Sequence, residues 1–243
     1  MEYFLKKEKK MYRTKVLFVL LLLSSTVYAV DSGSCANYDS TNDKCYYDAS
    51  IAVSYVNTYV NDIPGYNVYF PDYTGSGGNC TNFVNQAILA GFVGSTDPAT
   101  IYSKRGQYQV DRYSTYKWFY DYPQLSASWK DASDLYDYAV ANSPVNYKGL
   151  HFQYITSDSP TQALTFSLIQ VGDVVFADWT GDGTIDHTMM VVRKSANNYG
   201  GVGVSYQNAE GYNAQSNISL SAINTQNTVF LVYRPTTYND QGL

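Results

Sequence analysis

Apolar residues recur at three-and-four spacing through residues 47–61, where Ile51, Ala52, Tyr55, Val56, Tyr59 and Val60 share one face. That pattern predicts an amphipathic helix, with Asp48 or Ser50 placed to cap it. Residues 62–78 carry Pro64, Gly65, Pro71 and the run Gly75-Ser76-Gly77-Gly78, and read as loop. A second helical face follows in Phe83, Ala87, Leu89 and Ala90, with Gly91 placed to end it. Residues 135–141 repeat the helical pattern, with Ser133 as a cap. From residue 171 the character changes. Residues 171–179, 187–194, 203–208 and 228–234 are rich in β-branched and aromatic side chains, and residues 196–201 read as a hairpin turn. Helices followed by an antiparallel sheet predict an α+β fold, with the helix after Gly78 packed on the C-terminal sheet. Residues 30–47 are polar and read as a loosely ordered lead-in, and residues 92–135 form a mixed region rich in tyrosine and tryptophan.

The amino end changes this picture by setting the compartment. Lys6, Lys7, Lys9, Lys10, Arg13 and Lys15 precede an apolar run over residues 16–23, and Val27-Tyr28-Ala29 offers small residues at a cleavage point. This is the pattern of a secretory signal peptide cut after Ala29, with Met1 or Met11 as the start. The run is short for a membrane span, so the expected product is extracellular, with no stable membrane insertion after cleavage. The chain then divides into a signal peptide at 1–29, a polar segment at 30–47, one domain at 48–236 and a tail at 237–243. The full chain has 16 basic and 21 acidic side chains, and the first 29 residues hold six and two of them. The mature chain therefore carries ten against 19, a net charge of −9. Such a balance argues against nucleic-acid partners, whose phosphates require a basic footprint. Oligomeric state is not legible.

Three cysteines are an odd number for a secreted chain. Cys35 and Cys45 lie close enough in sequence to close a small loop, which leaves Cys80 over. An unpaired thiol in this setting is either reactive or a site of pairing between chains. Its glycine and asparagine neighbours read as an exposed turn. The helical face behind it puts Cys80 at a helix N-terminus, where free backbone N–H groups favour the thiolate.

A thiolate nucleophile needs a base, and the chain has two histidines. His151 lies in a segment with no clear pattern. His187 follows the turn Gly181-Asp182-Gly183 onto the start of an apolar strand, and is the candidate base. A third polar group normally orients the imidazole. An even-length turn centred on Asn197–Asn198 sets His187 opposite Asn208. Moving that turn by one residue sets it opposite Glu210, with Asn208 as diagonal neighbour. Asn208 is the first candidate and Glu210 the second, whereas Gln207 faces the other way.

The run Gly77-Gly78-Asn79-Cys80-Thr81-Asn82-Phe83-Val84-Asn85-Gln86, together with Gly172-Asp173-Val174 and Asp186-His187, resembles the putative amidase domain of secreted bacterial proteins. The likeness spans roughly residues 48–236. It implies a papain-like hydrolase in which Cys80 is the nucleophile and His187 the base, and it implies peptide-type amides as substrates, including those of cell-wall peptides. No metal or organic cofactor is implied. Asn79 stands where the family has aspartate.

Two other readings compete. Asp178, Asp182 and Asp186 around a glycine turn echo a calcium loop, but the spacing departs from the usual alternation and no bidentate glutamate follows. The many tyrosines would also suit a non-catalytic secreted binding module on a degenerate amidase fold, with Cys80 structural and Asn79 a mark of drift.

Overall fold

The polar lead-in folds into the sheet. β1 (Tyr38–Asp39) and β2 (Lys44–Tyr46) form a hairpin that a Cys35–Cys45 disulfide closes. This corrects the expectation of a loose segment over 30–47. The cross-link restricts the unfolded chain and so offsets the low apolar content there. The structure, a computed structural model, describes residues 35–61, 69, 70, 73, 79–108, 117, 118, 120, 121, 124–142, 149–159, 161–207 and 214–239. The expected signal peptide at 1–29 lies outside them, as does the glycine run at 75–78.

Helix α1 (Ala49–Tyr59) starts at Asp48, whose carboxylate accepts the N–H groups of Ser50 and Ile51. Helix α2 (Cys80–Val93) is buried at every position but Val93. It runs past the expected stop at Gly91 and ends on Gly94, whose φ of 77° suits glycine. Gly91 stays inside the helix because the chain entering α1 crosses there. A Cβ on Gly91 would stand 2.5 Å from the Tyr47 ring and 2.8 Å from the Asp48 carbonyl. The signal was close approach, not termination.

In the mixed region the structure adds α3 (Pro98–Lys104), capped by Asp97 with proline in its first turn, and a short hairpin of β3 (Tyr120–Asp121) and β4 (Gln124–Leu125). Part of the aromatic content forms a cluster in which Phe70, Tyr102, Tyr120, Trp118 and Trp129 pack mostly edge to face. Helix α4 (Ala132–Ala141) begins earlier than its apolar pattern. Asp131, not Ser133, caps it by accepting the N–H groups of Ser133 and Asp134.

The sheet is completed by β5 (Gly149–Ser157), β6 (Val174–Asp178), β7 (His187–Lys194), β8 (Val202–Tyr206), β9 (Gln215–Ser219) and β10 (Val229–Asn239), with the one-turn helix α5 (Leu220–Ile223) after β9. Its eight antiparallel strands run β1-β2-β10-β6-β7-β8-β9, and β5 pairs with β10. The expected α+β class holds. β5 and β9 are strands that the apolar pattern did not predict, and β10 continues to Asn239, into the segment expected as a tail.

Side-chain alternation on the central strands feeds two cores. Val174, Phe176 and Met190 join α1, α2 and α4 on one face. Val175, Ala177, Met189 and Val191 pack with β8 and β10 on the other. The Gly172-Asp173 motif fastens this sandwich. Asp173 is buried, accepts two guanidinium hydrogen bonds from Arg234 at 2.7 and 3.0 Å, and takes the N–H of Gln170. Burial raises its pKa, and Arg234 acts against that rise.

Candidate active site

Cys80 is the first residue of α2 and is only 6% exposed. Asn79 at the cap position is fully buried, so the expected exposed turn is corrected at these two residues. Asn79 makes no side-chain cap bond to the helix. The first-turn N–H groups at Cys80 therefore keep the partial positive charge that a helix start carries.

His187 is the first residue of β7. Thr188 faces α2, where its hydroxyl lies 3.2 Å from that of Thr81. This contact joins the residue after the cysteine to the residue after the histidine. It fixes the helix start against the strand end, where the His187 side chain and the Thr188 N–H both hydrogen-bond Cys80. The imidazole is held between two rings: Tyr206 edge-on at 4.4 Å between centroids and Trp179 tilted at 5.7 Å.

The electrostatics follow from this placement. Burial pushes the Cys80 thiol up. The His187 charge and hydrogen bond, the Thr188 N–H and the Thr81 hydroxyl pull it down and prevail, leaving a pKa of about 7. Two ordinary structural facts, burial and a helix start, would not do this without the histidine. The imidazole's Nε2 is buried with no hydrogen-bond partner among the described residues.

Asn208 and Glu210, the expected orienting residues, lie outside the described residues. The hairpin on which they were argued is described, and it differs at its tip. Residues 195–201 connect the strands, an odd-length loop with a 3-10 turn at Tyr199–Gly201, not an even one. A register shift between Val191 and Arg193 compensates. Beyond it, Val191 pairs with Val204 and Met190 with Ser205, the register that the Asn208 argument assumed.

The other candidates are placed elsewhere. His151 is a buried residue of β5 whose Nδ1 lies 3.3 Å from the Asn142 carbonyl. In the loop that echoed a calcium site, Asp178 accepts the N–H groups of Thr180, Gly181, Asp182 and Gly183 with its own carboxylate. Asp186 accepts the N–H of Trp179. These aspartates shape the turn that carries the chain to His187. Among the described residues, no group of three or more His, Cys, Asp or Glu side chains could hold a metal.

The profile of the putative amidase domain matches residues 46–233. The chain belongs to that family. No curated protein and no solved structure matches it. Membership in the amidase family points to amidase-type function, the hydrolysis of amide bonds.

The amidase motif around Cys80 is a set of buried polar connections. Thr81 reaches Thr188, Asn85 donates to the Ser128 carbonyl and accepts from the Trp118 indole, and Gln86 accepts from the Tyr55 hydroxyl. Asn79 accepts from Asn82 and donates to Gln207 at 2.7 Å, while Gln207 donates to the Tyr59 carbonyl at 3.1 Å. Gln207 thus presents an oxygen to position 79, and asparagine supplies the donor that oxygen needs. An aspartate there would face oxygen with oxygen. Turning the Gln207 amide over would move the clash to Tyr59. The departure from the family is therefore matched by its surroundings and gives no support to a degenerate site. Asn79→Asp is expected to destabilise the fold by about 1–3 kcal/mol in urea unfolding. It should also raise the Cys80 pKa, because a carboxylate beside a thiolate disfavours it.

Sequence reasoning missed Trp179, Thr188 and Tyr206. Only Trp179 had a signal, an exposed-type aromatic beside the turn. Tyr206 is identified by its ring contact, and burial and the neighbouring Cys80 raise its phenol pKa.

Proposed function

We propose that this chain is a secreted, cysteine-dependent amidase or peptidase of papain-like arrangement, acting on peptide-type amides, with bacterial cell-wall peptides the leading substrate class. The observation that carries this reading is the Cys80–His187 pair, in which a buried thiol has a pKa of about 7. The thiolate attacks the amide carbonyl carbon, a C–S bond forms, and the charge moves to oxygen. That oxyanion is met by helix-start N–H groups, including that of Cys80. The His187 imidazolium gives its proton to the amide nitrogen, the C–N bond breaks, and the amine leaves. Water then adds to the acyl-thioenzyme with His187 as base, the C–S bond breaks, and the carboxylic acid departs.

Asn208 is the proposed orienting group, and the unpartnered Nε2 of His187 supports a polar neighbour there. Secretion is proposed from the basic, apolar and small-residue order of the amino end, and the Cys35–Cys45 disulfide supports an oxidising compartment. The test compares the parent with Cys80→Ala on purified wall material and on a peptide panel, reading amine release. The parent should release amines and the variant should not; equal release from both removes the mechanism.

A further inference from the structure

A concavity lies beside the turn that delivers His187. Residues 158, 159, 161–163, 180, 181 and 224–229, together with Tyr199, enclose about 570 Å³, within the ~300–1,000 Å³ typical of small-molecule sites. Neither Cys80 nor His187 lines it. Its wall is unusual in chemistry. Gln162, Asn224, Gln226 and Asn227 supply carboxamides, and threonines 161, 180, 225 and 228 supply hydroxyls. Carboxamides and hydroxyls each donate and accept, which matches a ligand that does both at closely spaced atoms. Among the described residues no lysine, arginine or histidine lines it, so no cationic side chain there would hold a phosphate or carboxylate. The apolar side chains of the wall are Ala163, Val229 and the Tyr199 ring.

Asp158 gives the cavity a fixed point. It is buried at the end of β5, accepts the Tyr199 hydroxyl at 2.7 Å and the Phe230 N–H, and has no cationic partner among the described residues. Each carboxylate oxygen so held has a second lone pair for a donor from a ligand. The Tyr199 ring is itself held, edge-on to Phe166 at 4.8 Å and tilted on Phe230 at 6.3 Å, so it offers a rigid aromatic surface. Hydroxyl-matching amides, a fixed acceptor and an aromatic ring are the parts that recognise a sugar.

We propose that this cavity is a binding site for a neutral saccharide. The ligand's hydroxyls would pair with the carboxamides and with Asp158, and its apolar face would lie against Tyr199. The site is tied to the Cys80 region through Trp179, which adjoins Thr180 in the cavity wall and packs on His187. A sugar-bearing substrate would therefore engage both.

The experiment is calorimetric titration of the full chain carrying Cys80→Ala, so that nothing is turned over. Chitotetraose, cellotetraose and maltotetraose are the probes, with inorganic phosphate and spermidine as charged controls. At least one saccharide should bind with Kd below about 1 mM, tighter than either control. Gln162→Ala and Asn227→Ala, both at exposed positions, should each weaken it about tenfold or more. The proposal is overturned if no saccharide reaches that affinity, if a control binds more tightly, or if neither substitution weakens binding. Because the readout is binding to a variant without the thiol, the result is independent of whether Cys80 is catalytic.

Discussion

His187→Gln should slow amide hydrolysis on the order of 10²–10⁴-fold, the span that a positioned acid–base group contributes. The same substitution should move the titration of Cys80. In the parent, the thiol sits near 7 because the histidine's charge and hydrogen bond overcome burial. Without them, burial is opposed only by the Thr188 N–H and the Thr81 hydroxyl, so the pKa should move above the ordinary thiol range. The sign is read from iodoacetamide alkylation, whose rate follows the thiolate fraction. Parent alkylation should rise through a midpoint near pH 7, and at mildly acidic pH it should already be measurable. The variant should remain unreactive across that window and rise only at alkaline pH. Identical profiles would remove His187 from the site, whatever happened to hydrolysis.

Arg234→Met should produce the largest loss of stability, about 3–5 kcal/mol, since it strands a buried carboxylate. Asp173 is almost wholly covered and would keep only the Gln170 N–H. Its folded pKa is already raised by burial, and loss of Arg234 should raise it further. A carboxyl with a raised folded pKa binds its proton more tightly in the native state. Stability is then gained below the folded pKa and lost as pH rises through it. The deficit of the variant relative to the parent should therefore shrink on acidification. Urea midpoints at pH 7 and at pH 5 would measure it, and a constant deficit would show that the charge is not the cause.

The legible parts of the fold were those with a clean period. α1 and β7 lie where their patterns put them, because α1 buries one apolar face and β7 is an apolar run buried between the two cores. β5 and β9 were not legible for a different reason. β9 is an edge strand with exposed polar positions, and β5 mixes buried His151 and Thr156 with exposed Gln153 and Tyr154. Neither sequence alternates cleanly. Glycine misled at Gly91, where packing against Tyr47 imitated a helix stop.

In the site, Cys80 and His187 were legible from an odd cysteine and a turn before a strand. The supporting residues were not. Thr188 and Tyr206 act through contacts between distant segments, and a threonine or tyrosine on a strand announces nothing of the kind. The hairpin is instructive in another way. Its loop length was misjudged, yet the bulge near Val192 restores the register where it reaches the site.

The Cys35–Cys45 bond also bears on how the protein matures. Three thiols can form three different single disulfides, and two of those would consume Cys80. Loop-closure entropy favours the ten-residue separation over the longer 45–80 and 35–80 loops by about 1 kcal/mol, roughly a five- to tenfold bias in the unfolded chain. Folding then seals the choice. β2 pairs with β10 around Cys45, and Cys80 is buried as the first residue of α2. The native bridge thus acts as a protecting group during oxidative folding: it removes both competing thiols and delivers the remaining one reduced.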